Sequence, residues 1–213
     1  MKKFVGSIPG ITVLCMFLVS ITLVISGCSK PLNTEDMEAM KDTHWYLACN
    51  LFPDVERNNA LSSVNYHLPG GMLKWGTEIQ IAEIHRKHLV FQDVNTGIEY
   101  PYSFHGRTLE VVSPEEHLKR IFVSDIEPLK REVSAMSEID KKGIEEGIAH
   151  PGMTKRAVLI AIGYPPEFAT PDPMTVNEWN YWYDRFREFV VAFGEDGKVV
   201  TITGYYPEEQ SVE

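Results

Sequence analysis

The chain has 213 residues, of which 20 are basic and 30 acidic, and its net charge is −10. This acidic balance excludes nucleic acid as the expected partner, because phosphates are bound through Lys and Arg, and it disfavours electrostatic adhesion to anionic lipid. A hydrophobic content of 44% is enough for ordinary globular cores.

An apolar segment near the start of the chain ends in a cysteine. Lys2 and Lys3 precede the apolar residues 11–25, and Ser26 and Gly27 lie directly before Cys28. Small residues before a cysteine at the end of such a stretch resemble the lipobox of a bacterial lipoprotein signal peptide. The resemblance implies that residues 1–27 are removed and that Cys28 carries lipid, palmitate included, on its sulfur and amino group.

Two alternatives to lipidation stay open. One is an uncleaved membrane anchor, although the apolar stretch is shorter than the roughly 20 residues that a membrane-spanning helix needs. The other is a plain secretory signal that leaves Cys28 as an ordinary thiol.

The lipoprotein resemblance also predicts the compartment. Ser29 follows Cys28, and in the enterobacterial sorting scheme Ser at this position favours the outer membrane, facing the periplasm, whereas Asp favours the inner membrane. Inner-membrane retention and a Gram-positive surface are the alternatives. Without residues 1–27 the chain keeps 18 basic and 30 acidic residues, a net charge of −12, so the acyl chains provide the attachment. The polar residues 28–42 are predicted to be a tether that spans at most roughly 50 Å.

Residues 43–123 are predicted to form a β-rich module with a trailing helix. Glu78–Ile84 alternates polar and apolar residues with period two, which is typical of a half-buried strand. Further strands are predicted at residues 44–51, 89–94, 98–104 and 107–112, with Pro101 indicating an edge. Leu73-x-x-Gly76-Thr77 before a core strand resembles SH3-like modules, so we expect a small antiparallel barrel.

A capped helix closes this module. Ser113 and Glu116 form a predicted capping box with Pro114 at the first helical position, and the helix should end near Val123. Residues 124–137 are predicted to link two domains, because Pro128 interrupts the chain there. The second domain, residues 138–207, is predicted to contain helices at 137–149 and 155–162 and strands at 177–183, 187–193 and 198–203. Residues 208–213 are an acidic tail.

The second domain carries a family resemblance. Its motifs, in chain order, are Gly152-Met153-Thr154, Gly163-Tyr164-Pro165-Pro166, Asn177-x-Trp179-x-Tyr181 and Val191-x-Phe193-x-x-x-Gly197-Lys198-Val199. Residues 144–203 thereby resemble the SmpA/OmlA family, the BamE-like domains of bacterial envelope lipoproteins. The resemblance implies an α+β fold with two helices on a three-stranded antiparallel sheet, a layout that β-lactamase inhibitory proteins share. It also implies a non-enzymatic role in outer-membrane assembly or envelope integrity. Small family members lack the β-rich module, so the resemblance is a better guide to the fold of residues 144–203 than to the partner of this chain.

Three aromatic residues near the start of the predicted sheet are the candidates for binding. Trp179 and Tyr181 share the phase of the sheet face that the helices should cover. Trp182 points the other way, and it is either an exposed partner contact or tucked under the Pro-rich loop of residues 167–176. We predict binding around Trp182, with Tyr181 and Trp179 beside it.

No catalytic, metal or cofactor site is predicted. Cys49 is the thiol left after processing, and it is either a small buried hydrophobe or reactive. His85 and His88 have the spacing of a metal pair, but zinc needs three or four ligands and none is suitably spaced, so a solvated hairpin tip is expected. Phosphate-binding glycine loops and nucleophile elbows are absent from the sequence.

The sequence therefore predicts a lipid-anchored envelope protein that acts as a non-catalytic interaction or structural component. Its expected partners are the membrane, through lipid on Cys28, and an unidentified envelope protein. The alternative is a periplasmic inhibitor or sensor that binds an envelope enzyme or peptidoglycan.

Overall fold

The computed structural model describes residues 37–85 and 87–206, and it confirms the α+β class. Its elements in chain order are β1 (Trp45–Leu47), β2 (Leu61–Ser62), β3 (Glu78–Ile84), β4 (His88–Asp93), β5 (Glu99–Ser103), α1 (Gly106–Val111), α2 (Pro114–Ile121), β6 (Phe122–Val123), α3 (Glu127–Ser134), α4 (Glu138–Glu146), α5 (Lys155–Ile162), β7 (Glu178–Trp182), β8 (Glu188–Phe193) and β9 (Val199–Gly204). None of the described helices is long and apolar enough to cross a membrane. The predicted signal peptide, Cys28 and acidic tail lie outside the described residues.

Six strands form a curled sheet in the order β2-β5-β4-β3-β1-β6. The strand predicted at Glu78–Ile84 is confirmed as β3, and its period of two buries Ile79 and Ile81. Pro101 predicted that its strand lies at the edge of the sheet. This prediction is wrong for β5 as a whole, because β4 and β2 flank the strand. The short strand β2 pairs only with Tyr102 and Ser103, so Pro101, which has no N–H, lies outside that ladder.

The last strand predicted for the β-rich module is also wrong, because Gly106–Val111 forms helix α1. Thr108 is fully buried in this helix, and its hydroxyl accepts a hydrogen bond of 3.1 Å from Ser63. Tertiary packing thus overrides the β propensity of the segment. The capping box at Ser113 is confirmed, and α2 ends at Ile121.

The second sheet contains β7, β8 and β9, all antiparallel. The buried positions alternate along β7 and β8, and these side chains share one hydrophobic core with α4 and α5. The predicted range 155–162 matches α5, and the three predicted strands agree with the structure to within two residues. Regular local patterns therefore located the elements of this region.

The segment predicted to link two domains is folded. Residues 124–137 contain α3, whose Leu129 and Val133 are buried in the core around α4, α5 and the second sheet. Pro128 lies in the first turn of α3, where a missing N–H costs little, so it starts the helix instead of interrupting it. Glu132 accepts two hydrogen bonds, of 2.8 and 3.0 Å, from Arg156 on α5.

A separate hydrophobic core lies under the six-stranded sheet. It includes Met37, which is fully buried, and the Trp45 indole N–H donates to the Met40 carbonyl at 2.9 Å. The predicted tether of residues 28–42 therefore ends at or before Met37. We refer to residues 37–123 as the N-terminal half and to residues 124–206 as the C-terminal half.

Candidate functional site

The two halves meet at the C-terminal end of α5. The four carbonyl groups of residues 160–163 all accept hydrogen bonds from groups outside the helix. The last carbonyls of a helix have no partner within the helix itself, so these outside donors satisfy them. The donors are the Asn50 N–H to Ile160 (2.9 Å), the Asn50 amide to Ala161 (2.9 Å), the Asn65 amide to Ile162 (3.2 Å), His67 Nε2 to Ile162 (3.1 Å) and the Tyr181 hydroxyl to Gly163 (3.0 Å). The N-terminal half thereby caps a helix of the C-terminal half.

Gly163 fits this cap closely. Its φ is +81°, in the region that glycine favours over other residues, and its ψ is 179°. A Cβ at this position would lie 2.5 Å from the Asn65 amide nitrogen. Both the backbone conformation and the Asn65 contact therefore require glycine.

His67 is a neutral part of the cap. Its Nε2–H donates to the Ile162 carbonyl, and its Nδ1 is buried without a hydrogen-bond partner among the described residues. Burial lowers the pKa of His67 to about 4, and the hydrogen bond to Ile162 only partly opposes this effect. The Phe52 and Phe189 rings lie 4.6 and 5.0 Å from the imidazole.

A second buried polar row connects the halves. The Tyr102 hydroxyl lies 2.6 Å from Nε2 of His117, whose Nδ1 lies 2.6 Å from a Glu167 carboxylate oxygen. Burial alone would raise the pKa of Glu167, but the hydrogen bond and charge of His117 outweigh burial and lower it. The order of these groups matches a nucleophile–base–acid relay. Exposures of 1%, 3% and 1% leave no access for a substrate, so the row supports a structural role.

The structure separates the three aromatic residues predicted for binding. Trp179 and Tyr181 are fully buried, which corrects their predicted part in binding, because neither can touch a partner in this fold. Trp182 is half-buried, and its ring lies 5.4 Å from Phe168. Since Phe168 belongs to the Pro-rich loop, the structure favours the alternative in which that loop covers Trp182.

The other candidates are also placed. Cys49 is buried, and burial raises the pKa of its thiol to about 12, which supports a small buried hydrophobe. His85 and His88 stack with ring centres 4.3 Å apart at the β3–β4 turn, and Glu83 pairs with His85 at 2.9 Å. Within residues 37–85 and 87–206, no group of three or more His, Cys, Asp or Glu is placed to hold a metal. Cys28 lies outside these ranges, so its lipidation stays a prediction.

A groove lies on the surface between the two halves. Its volume is about 460 Å³, within the range of roughly 300–1,000 Å³ that is typical of ligand sites. Phe52, Leu61 and Leu68 line it from the N-terminal half, together with Arg57 and the half-buried Tyr66. The β7–β8 turn, residues 184–186, lines it from the C-terminal half. The groove is therefore a product of the packing between the halves.

The β7–β8 turn holds an exposed aromatic ring. One Asp184 carboxylate oxygen accepts the N–H groups of Phe186 and Arg187 at 2.8 and 2.9 Å, and the other accepts from the Arg187 side chain at 2.6 Å. The Arg187 guanidinium lies over the rings of Tyr183 and Tyr205 at 4.6 and 4.0 Å. This ordered turn leaves Phe186 87% exposed. The local sequence signal is a phenylalanine between two arginines in a hairpin turn, which does not by itself identify a binding site.

The charges of the groove are unequally paired. Arg57 contacts Asp54 at 3.5 Å, and Asp184 is engaged by Arg187. Arg185 is exposed and forms no ion pair with any residue that the structure describes. Burial raises the pKa of Tyr66, and the nearby Arg185 opposes that rise. The groove thus combines apolar walls with the guanidinium of Arg185, which pairs with none of the described residues, in a protein of net charge −10.

Comparison of the chain with known protein families, with characterised proteins and with solved structures finds no match. The groove and the sequence motifs are therefore the basis for proposing a function.

Proposed function

We propose that this chain is a lipid-anchored protein of the bacterial envelope that acts as a non-catalytic protein-interaction component. The observation that carries the proposal is Phe186, an exposed aromatic ring on an ordered turn beside an apolar groove. Aromatic anchors next to apolar pockets dominate the energetics of many protein interfaces. The aromatic side chains at positions 179, 181, 189 and 193 of the same sheet are buried, so the exposure of Phe186 calls for a functional explanation.

The finer fold assignments belong to the same proposal. The order of α4, α5 and three antiparallel strands supports a BamE-like domain over residues 138–207. The curled sheet that includes β3 and β4 supports an SH3-like module over residues 43–123. Outer-membrane assembly or envelope integrity is the process that such a protein would serve.

The membrane part of the proposal rests on Ser26-Gly27-Cys28 after an apolar stretch. Globomycin blocks the lipoprotein signal peptidase, so we expect an uncleaved precursor to accumulate in treated cells. Normal processing in the presence of globomycin would exclude lipidation at Cys28.

Photocrosslinking in living cells tests the interaction itself. A photoreactive residue at position 186 should give an adduct with an envelope protein, because this position is exposed beside the groove. The matched control is position 200, since Val200 is 58% exposed on β9. Adducts of equal yield at both positions, or none at 186, would contradict the proposal. Recovery of barrel-assembly components would support a role in outer-membrane assembly, whereas recovery of a hydrolase or muropeptides would favour the inhibitor or sensor alternative.

A further inference from the structure

The lining of the groove between the two halves has an apolar part. Phe52, Leu61 and Leu68 belong to it, and only 3% of the surface of Leu61 is exposed. Phe186 lines the same groove with 87% of its surface exposed. Contact with a ligand would remove this ring from water, which is favourable. The groove therefore offers an apolar side chain both a buried wall and an exposed aromatic ring.

The charged groups of the lining are unequal. Among the described residues, four charged side chains line the groove, and three of them have partners. Asp184 accepts two backbone N–H groups and the Arg187 side chain, and Asp54 lies 3.5 Å from Arg57. Arg185 pairs with no group in the described part of the chain. An anionic group of a ligand is the partner that its guanidinium lacks.

Hydroxyl groups line the groove together with this guanidinium. Burial raises the pKa of Tyr66 and the positive charge of Arg185 opposes that rise, so the charge of Arg185 acts on the phenol. The Tyr66 hydroxyl donates no hydrogen bond to a group that the structure describes. Ser62 and Ser103 add their own hydroxyls to the lining. A guanidinium with hydroxyl donors nearby can hold a carboxylate through several charge-assisted hydrogen bonds.

The size and shape of the groove limit the class of ligand. Its volume of about 460 Å³ lies in the range of sites that take drug-sized molecules, and a few extended residues are of that size. A free phosphate would leave the apolar wall uncovered. A membrane surface is flat on this scale, and a net charge of −10 disfavours anionic lipid. A short acidic peptide segment supplies both a carboxylate and an apolar side chain.

We propose that the groove binds an extended segment of its protein partner in which acidic residues lie next to large apolar ones. A carboxylate would pair with Arg185, and an apolar side chain would contact Phe52, Leu68 and Phe186. This inference rests on the proposed function, which supplies the partner, and it adds the chemistry by which that partner is recognised. The net charge of −10 repels an acidic segment at long range, so the affinity depends on contacts within the groove.

A library of immobilised pentapeptides tests the specificity. Its members combine glutamate, lysine, glutamine, leucine and phenylalanine at random, and the full chain is applied to them in detergent. Peptides with glutamate beside leucine or phenylalanine should be enriched among those that bind. The proposal would be overturned by enrichment of lysine-containing peptides, by enrichment of apolar peptides regardless of charge, or by no enrichment.

Substitutions in the groove identify the groups that bind the peptide. The dissociation constant of the most enriched peptide, measured by fluorescence anisotropy, should rise at least about tenfold for Arg185→Gln, because a charge-assisted hydrogen bond is lost. Arg185→Lys should cost less, since it keeps the charge but not the planar guanidinium. Tyr66→Phe removes one hydroxyl and should weaken binding about threefold.

The matched control for these variants is Arg131→Gln, since Arg131 is exposed on α3, and it should bind the peptide like the unmodified chain. Equal affinity of Arg185→Gln and the unmodified chain would overturn the proposal. So would displacement of the peptide by inorganic phosphate, or by vesicles of anionic phospholipid, at concentrations as low as those of the free peptide, because the groove would then bind anions from any source.

The peptide library and the crosslinking experiment can fail separately. An adduct at position 186 in cells, without enrichment of acidic peptides, would uphold the proposed function and overturn this inference. Enrichment that depends on Arg185, without any adduct in cells, would uphold the chemistry of the groove and contradict the proposed function.

Discussion

Asn50 is a buried amide whose hydrogen bonds are all made within the protein. Its Nδ2 donates to the carbonyls of Ile144 and Ala161 at 2.9 Å each, and its Oδ1 accepts the Trp75 N–H at 2.8 Å. A buried amide is tolerated only when it is paired in this way. Loss of such a side chain leaves several buried groups unsatisfied, each at a cost of about 1–3 kcal/mol.

His67 should make stability depend on pH. Its pKa is about 4 in the folded protein and 6.5 in the ordinary state, so the unfolded chain binds the proton more tightly. The stability that neutral His67 contributes is complete above pH 6.5 and is lost as the pH falls toward 4, by about 3 kcal/mol in total. Urea unfolding at a series of pH values measures this loss.

The control for His67 is His67→Gln, which keeps an N–H donor without a titrating group. The unfolding free energy of this variant should fall less steeply over the same pH window. Equal slopes for the two proteins would show that His67 is not the titrating group.

Helix α4 packs closely against its neighbours at Gly143, which has no side chain. The sequence indicates that Gly143 and Gly147 weaken this helix. The structure shows that Gly147 forms its left-handed C-cap, with φ of 70°, and that Gly143 is buried against Met153. A Cβ at position 143 would also lie 2.6 Å from the Ile148 carbonyl oxygen, which belongs to the backbone and cannot rotate away.

We therefore expect Gly143→Ala to destabilise the protein although alanine favours helices. The helix gains up to about 1 kcal/mol in propensity, but overpacking in a tight core costs about 1–3 kcal/mol. Thermal unfolding should show a lower Tm. Gly106→Ala is the matched control, since no atom lies within 4 Å of a Cβ there, and its Tm should be unchanged or slightly higher. A rise in Tm for Gly143→Ala would refute the packing argument.

Elements with a clear start signal and a regular apolar pattern were predictable. Thr154 and Ser137 cap α5 and α4 as their sequences indicate, and Ser113 caps α2. The helices α1 and α3 were not predictable because their local signals point elsewhere. β-branched residues favour a strand over 107–112, and Pro128 suggests a break, yet burial of Thr108 and Leu129 decides both cases.

The whole molecule depends on polar groups that connect its halves. Glu167, in the C-terminal half, pairs with His117 and lies 3.6 Å from Arg120, both on α2 of the N-terminal half. Removing one partner of a buried pair leaves the other charge without compensation. The contribution of Glu167 is present above its ordinary pKa of 4.5 and is lost as the pH falls below that value, because its pKa is lowered in the fold.

Glu167→Gln should lower the unfolding free energy at neutral pH by about 3 kcal/mol, because it removes the carboxylate that His117 and Arg120 share. Urea unfolding followed by probes in each half should give one coincident transition for the unmodified protein, since the halves share these buried bonds. Glu110→Gln on the exposed side of α1 is the control and should change the free energy by less than about 0.5 kcal/mol. A change no larger than that of the control would show that the pair contributes little to stability.

The groove was beyond local sequence reasoning. Phe52 and Phe186 lie far apart in the chain, and no periodic pattern connects them. The aromatic residues that do form a pattern, Trp179 and Tyr181, belong to the core, because period two marks the buried face of a sheet. The period-two sequence pattern therefore predicted the core of the C-terminal half. The groove beside that core depends on how the two halves pack together.

The burial of Met37 limits the length of the segment that can connect Cys28 to the folded protein. If Cys28 is lipidated as proposed, residues 28–36 alone separate the acyl chains from the packed body, and they span at most roughly 30 Å. A folded protein of this size has a radius of gyration of about 15 Å, so the connecting segment is no longer than the folded protein is wide. The protein would be confined to a thin layer above one leaflet of the membrane. It would encounter its ligands by diffusion in two dimensions. Occupancy of the groove would then follow the surface density of its ligands and not their concentration in the bulk compartment.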